Sequence, residues 1–129
     1  PNGSLGKKLR PVTELARSLE ATATVLKNAT VLDALNAITN KKTGAAFIVD
    51  ESGRLSGVFT DGDLRRLLQQ DPTRLNQEIH LFMTAAPKTL LAHQTVAEGM
   101  HALRQHKINS LPVIDDNLSL LGYLDIQDT

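Results

Sequence analysis

The chain has 129 residues, about the size of one compact domain, and 41% of them are hydrophobic, enough for a real core. Aromatic residues make up only 3%, so that core is aliphatic. Lys plus Arg and Asp plus Glu number 14 each, and this balance gives no electrostatic reason to expect nucleic acid or an anionic membrane as partner. Cysteine is absent, which excludes disulfides, Cys-ligated zinc and thiol catalysis and fits a reducing compartment. No apolar run is long enough to span a bilayer and no signal-peptide pattern opens the chain, so a cytoplasmic location is expected.

In chain order, Ala23 to Leu26 reads as a short strand, and Thr30 followed by Asp33 marks a helix start. Apolar positions 31, 34, 35 and 38 then recur at helical spacing. Ala45 to Val49 reads as a buried strand. Asp50, Ser52 and Gly53 make a hairpin turn into Leu55 to Phe59, and a second helix opens at Asp61. Gln69 to Pro72 ends it, and Leu75 to Met83 reads as a short amphipathic segment. The same order then recurs: a strand over Thr89 to Ala92, a helix start at Thr95 with Glu98, and strands over Leu111 to Ile114 and Leu118 to Leu124.

The recurrence is a repeat. Displaced by 65 positions, Thr30-Val31 falls on Thr95-Val96, Lys42 on Lys107, Ile48-Val49-Asp50 on Val113-Ile114-Asp115, Gly57 on Gly122 and Asp63 on Asp128. No gap is needed from Val25 and Leu90 onward. The expected fold is α/β: two βαββα units, each with three strands and two helices, packed sheet to sheet about a quasi-twofold axis that leaves two related clefts. The expected boundaries are 11–70 and 79–129 for the repeats, with 71–78 as linker. The chain stops just after the strand-to-helix signal at Leu124 to Asp128, so the last helix reads as truncated and the whole as part of a longer protein.

The chemistry concentrates at Gly57 to Arg66, where a strand ends and a helix begins. Thr60 stands at the N-cap position, and its hydroxyl with the free N–H groups of the first turn makes an anion site. Gly62 leaves those N–H groups unobstructed. Asp63 shares a helix face with Thr60, so a phosphate group and a ribose diol are matched together. An ordinary capping box explains the same pair equally well. Arg65 or Arg66, and Lys88, are candidates to meet an anionic ligand, against the alternative of solvated cations. The four histidines, His80, His93, His101 and His106, contain no i,i+4 pair, and no metal site is expected. No nucleophile elbow, P-loop or dinucleotide fingerprint is present, so no catalytic residue is assigned.

The duplicated unit resembles the CBS domain pair (Bateman module). The resemblance rests on the G-h-h-T-x-x-D run ending in Thr60 and Asp63 and on Ile108-Asn109-Ser110-Leu111-Pro112-Val113-Ile114-Asp115, and it covers nearly the whole chain from Pro11. It implies that Thr60 contacts phosphate and Asp63 ribose hydroxyls, with Asp61, Gly62 and Arg66 beside them. It also implies that the opening segment of the opposite repeat (Thr84, Lys88, Thr89) and the residues around L-P-V (Ile108, Asn109, Ser110, Pro112) line the same cleft. The second repeat departs from the pattern, because Asp125 holds the Thr position and would repel a phosphate. The cleft built on Asp128 is therefore expected to be empty or structural.

Pro1-Asn2-Gly3-Ser4-Leu5-Gly6-Lys7-Lys8-Leu9 further resembles the junction between the sugar-isomerase (SIS) domain and the CBS pair in bacterial arabinose 5-phosphate isomerases, as does the run Phe59 to Arg66. Residues 1–10 then read as the tail of that domain. The resemblance implies a regulatory module without its own enzymatic activity, attached to an isomerase that interconverts ribulose and arabinose 5-phosphates toward Kdo and lipopolysaccharide. It implies no cofactor, a regulatory ligand such as CMP-Kdo, CMP or an adenine nucleotide, and a homodimer or higher homo-oligomer. The alternative is a purely structural oligomerisation module with vestigial clefts.

Overall fold

A computed structural model describes residues 3–129. Pro1 and Asn2, the first two residues of the junction motif, lie outside the described residues. The elements are helices α1 (Gly3–Leu9), α2 (Val31–Lys41), α3 (Asp61–Gln70) and α4 (Val96–His106), and strands β1 (Arg17–Ser18), β2 (Ala23–Leu26), β3 (Ala45–Val49), β4 (Leu55–Thr60), β5 (Thr84–Ala85), β6 (Leu90–Leu91), β7 (Ser110–Ile114) and β8 (Leu120–Asp125). No described helix is long and apolar enough to cross a membrane.

The chain divides into two compact units, and the fold is mixed α/β in both. A continuous unit spans Ala21–Pro87. A discontinuous unit joins the described residues up to Glu20 with Lys88–Thr129. The continuous unit holds a sheet in the order β2-β3-β4-β5, with β2 parallel to β3 and the other pairs antiparallel. Ala23, Ala46, Ile48 and Phe59 of the sheet pack with Val31, Ala34 and Ile38 of α2, Leu64 and Leu67 of α3, and Ile79. The discontinuous unit holds the order β1-β8-β7-β6, with Val12, Leu90, Leu103, Leu111, Val113 and Leu124 in its core.

Each sheet thus has a fourth, two-residue strand that three-strand units do not include. That strand comes from the opening segment of the other repeat. Segment 10–18 docks in the unit of the second repeat: Val12 N–H donates to the Gln94 carbonyl at 2.7 Å, Val96 N–H to Arg10 at 2.9 Å, and β1 pairs with β8. Segment 77–85 repeats the pattern in the unit of the first repeat: Ile79 N–H donates to Ala29 at 2.7 Å, Val31 N–H to Gln77 at 2.9 Å, and β5 pairs with β4. Val12 and Ile79 are both fully buried. The described stretch Pro11–Glu20, grouped by sequence with the first repeat, therefore belongs to the compact unit of the second.

The helix starts follow the sequence. Thr30 with Asp33, and Thr95 with Glu98, form reciprocal capping boxes, and each helix ends on a lysine in left-handed conformation, Lys42 (φ 57°) and Lys107 (φ 54°). The amphipathic segment expected over Leu75 to Met83 is instead two short 3-10 turns, Pro72–Asn76 and Ile79–Leu81, with Ile79 as the buried anchor. The last strand begins at Leu120 rather than Leu118. Leu118 sits at φ 69° in a turn whose Asp115 carboxylate accepts from Asn117 and Ser119 N–H groups, so its apolar side chain ends up exposed.

The paired glycines now have a structural reason. A Cβ at Gly122 would strike the Arg17 carbonyl of β1, and one at Gly57 would strike Met83 and the Thr84 carbonyl. Both leave room for the incoming strand, and Gly122 also carries φ 155°. Gly122→Ala is expected to destabilise the fold by about 2–4 kcal/mol, through strain and loss of the β1–β8 pairing. Gly44→Ala, where a Cβ meets open space, is the control. Urea unfolding of the two variants checks this.

Candidate functional site

In the continuous unit, β4 carries the chain to Thr60, where α3 begins. Thr60 is extended (φ −90°, ψ 164°) and its hydroxyl accepts from Asp63 N–H at 3.1 Å, while Thr60 N–H donates to Asp63 Oδ2 at 2.9 Å. Asp61 N–H donates back to the Gly44 carbonyl at 2.8 Å, tying the helix start to the beginning of β3. Asp63 Oδ1 takes a short ion pair from Arg66 Nη2 at 2.6 Å. The Arg66 guanidinium also lies over Gly62, with Nη1 3.5 Å from where a Cβ would stand. Asp61 pairs with Arg65 rather than with its neighbours in the turn. Thr84, on β5, sits one strand over as the partner of the register pair at Val58, and its side chain is exposed.

Six of the sequence-predicted site residues, Thr60, Asp61, Gly62, Asp63, Arg66 and Thr84, are therefore gathered on adjacent elements of the continuous unit. The other six belong to the discontinuous unit. Lys88 and Thr89 precede β6, Ile108 and Asn109 form the turn after α4, and Ser110 and Pro112 lie on β7. Asn109 accepts from Ile126 N–H at 2.9 Å, the counterpart of the Gly44–Asp61 bond. Ser110 lies opposite Asp125 and Pro112 opposite Tyr123. An open depression of about 410 Å3 along α4 is lined by Thr89, Leu90, Gln94, Ala97, Glu98, His101 and Ala102, and it takes in only Thr89 of this set. Among the described residues no group of three or more His, Asp or Glu is placed to hold a metal ion.

The place in the second repeat that corresponds to Thr60 and Asp63 is occupied by a side chain the sequence reading passed over. Arg17 of β1 donates from Nε to Asp128 Oδ2 at 2.8 Å, and from Nη1 to the Tyr123 hydroxyl at 2.9 Å. Its Nη2 lies 3.4 Å from Asp128 Oδ1 and 3.5 Å from Asp125 Oδ2, and its guanidinium carbon stands 5.5 Å from the Tyr123 ring centre. The Asp128 hydrogen bond raises the Arg17 pKa well above its ordinary value, against the opposing effect of burial. The Arg17 side chain is 29% exposed, against 67% for Arg66. Arg17 faces Tyr123 in the β1–β8 register as Thr84 faces Val58, so Thr84 is its positional counterpart. Continuing the self-comparison upstream, with the offset changed from 65 to 67, is the signal that finds it.

Tyr123 is the single tyrosine and the chain has no tryptophan, so its ionisation is read without overlap at 295 nm. Burial pushes the phenol above its ordinary value, with the Arg17 charge and hydrogen bond pulling the other way. The neutral phenol is therefore favoured in the folded state. That stability is fully present below the unfolded phenol value of about 10 and is lost as pH rises through the higher folded value. A spectrophotometric titration is expected to show the native midpoint above that of the unfolded chain, and higher still in Arg17→Met.

Comparison with known proteins places these features. Residues 12–70 and 77–128 each match the family described as CBS domain. The chain is 34% identical over 129 residues to the arabinose 5-phosphate isomerase KdsD of Pseudomonas aeruginosa and, at the same identity and length, to GutQ of Shigella flexneri. In both cases it covers 99% of this chain and 40% of the relative. The chain thus spans about two fifths of the length of the curated relatives it matches. Among solved structures it is similar to CBSX2 in complex with AMP (TM-score 0.81, 24% identity, 92% of this chain and 91% of that one). It is also similar to PAE2072 of Pyrobaculum aerophilum complexed with AMP (TM-score 0.83, 22% identity, 92% and 89%). At these identities the two structures establish a shared fold.

Proposed function

The chain belongs to the CBS domain family as a pair of CBS domains, and from that membership we infer that it is the nucleotide- or nucleotide-sugar-binding regulatory pair of an arabinose 5-phosphate isomerase. The observation that carries this reading is the β4–α3 junction. It offers a hydroxyl at a helix N-cap, a glycine beside it, and a carboxylate held by an exposed and therefore displaceable arginine. A phosphate group is proposed to take the Thr60 hydroxyl, the Gly62 N–H and Arg66, and a ribose diol to take Asp63, with Asp61 and Thr84 around them. Lys88, Thr89, Ile108, Asn109, Ser110 and Pro112 are the further proposed determinants.

The similarity to isomerases more than twice as long supports an attached catalytic domain, proposed to be a SIS domain that interconverts ribulose and arabinose 5-phosphates for Kdo and lipopolysaccharide synthesis. The proposed ligands are CMP-Kdo, CMP and adenine nucleotides. CMP-Kdo combines a ribose, a phosphate and a carboxylate, and the AMP complexes of CBSX2 and PAE2072 support the adenine alternative. The pair is proposed to act in the cytoplasm within a homodimer or higher homo-oligomer. Ligand binding regulates the isomerase only if it favours one arrangement of that assembly over another.

A second reading, a structural oligomerisation module, is favoured by one observation. Thr60 and Asp63 satisfy each other in the same reciprocal box as Thr30 with Asp33 and Thr95 with Glu98. Calorimetry against CMP-Kdo, CMP and AMP separates the two. Binding of at least one of them, weakened about tenfold or more (about 1.4 kcal/mol) in Thr60→Ala and Asp63→Ala but unchanged in Thr30→Ala, is expected. No heat with any of the three overturns the ligand-binding reading and leaves the structural one.

A further inference from the structure

The two repeats present corresponding carboxylates to different cations. Asp63 is held by Arg66 of its own helix, three residues on, through one exposed ion pair. Asp128 is held by Arg17, which arrives from 111 residues away on β1. Arg17 meets both Asp128 oxygens and Asp125 while its Nη1 bonds the Tyr123 hydroxyl. All four side chains lie in the discontinuous unit. Tyr123 is fully buried, so the phenol that orients the guanidinium is itself fixed. The donors of a guanidinium form a rigid planar fork, and a bidentate carboxylate with a phenol oxygen satisfies most of them. Both carboxylates have both oxygens engaged, Asp63 by Thr60 N–H and Arg66 and Asp128 by Arg17, and the difference lies in the cation: Arg66 is exposed, while Arg17 is partly buried and tied to a buried phenol.

We propose that Arg17 is a built-in occupant of the acidic corner formed by Asp125 and Asp128, and that it makes this pair a one-ligand module. The residue on the incoming edge strand sets the difference. Arginine at position 17 closes the corner of the discontinuous unit, and threonine at the corresponding position 84 leaves Asp63 of the continuous unit to a ligand. This inference rests on the reading of Thr60 and Asp63 for its open site, and on geometry alone for its closed one.

The test combines two measurements on the full chain. Calorimetry and equilibrium dialysis with AMP and with CMP are expected to give no more than one equivalent bound, weakened about tenfold or more in Asp63→Ala. Asp63→Asn serves if the alanine variant does not fold. Phenylglyoxal labelling with peptide mapping reads the closed corner without any ligand. Arg17 is expected to react about tenfold or more slowly than Arg65 and Arg66, and to lose that protection in Asp128→Asn or, failing its folding, in Asp128→Ser. A second equivalent of nucleotide, binding unchanged by removal of Asp63, or labelling of Arg17 as fast as Arg66 overturns the proposal. Protection of Arg17 with no nucleotide bound by the wild-type chain instead sinks the Thr60–Asp63 reading and supports the occupied corner.

Discussion

Val12 and Ile79 are fully buried aliphatic side chains on segments with almost no regular structure, and the rest of the architecture depends on where they go. Each seats the opening segment of one repeat in the core of the unit built on the other. Once seated, the following residues pair with a sheet edge of that unit, β8 for Arg17–Ser18 and β4 for Thr84–Ala85. Burial of one such side chain contributes about 1.5–3 kcal/mol, more than two residues of strand pairing supply. The anchor therefore places the strand, and the strand places Arg17 and Thr84.

This exchange also sets how far apart in sequence the contacts of each unit lie. The continuous unit is contiguous in sequence, so its contacts close over short loops. The discontinuous unit completes its sheet only when β1 meets β8, more than a hundred residues later. Closure entropy grows slowly with loop length, and a prior fold of Ala21–Pro87 shortens the effective loop further. The strand glycines Gly57 and Gly122 belong to the same logic. A side chain at either would hold the incoming strand off its partner.

The bodies of the repeats were legible because their signals are local. A threonine with an acid three residues on, an apolar run and an aspartate turn each act within a few residues, and β2, β3, α2 and α4 stand where those signals put them. The edge strands were not legible. Two residues carry no alternation, and a strand whose place is decided by a buried anchor five residues earlier leaves no pattern of its own. The self-comparison also broke at Val25 and Leu90. The segment from anchor to first strand is two residues shorter in the second repeat, and the ungapped offset that revealed the repeat hid its beginning. Leu118 misled in the opposite way: an apolar residue forced into a left-handed turn position by the Asp115 hydrogen bonds looks like strand and is not.

At the candidate site the residue types were legible and their present partners were not. Asp125 in place of a threonine marks the second repeat as different in the sequence, through charge repulsion toward a phosphate. The structure supplies a larger effect. An exposed pair such as Arg66 with Asp63 contributes about 0–1 kcal/mol, so a ligand offering comparable hydrogen bonds displaces it at little cost. Arg17 is partly buried, bidentate to Asp128 and bonded to a buried phenol. Breaking a fully buried ion pair costs about 3–5 kcal/mol, and this partly buried one proportionately less. Two carboxylates at equivalent places in a repeat thus differ in availability by the energy needed to free them. That difference is set by a residue on a strand that belongs, by sequence, to the other copy.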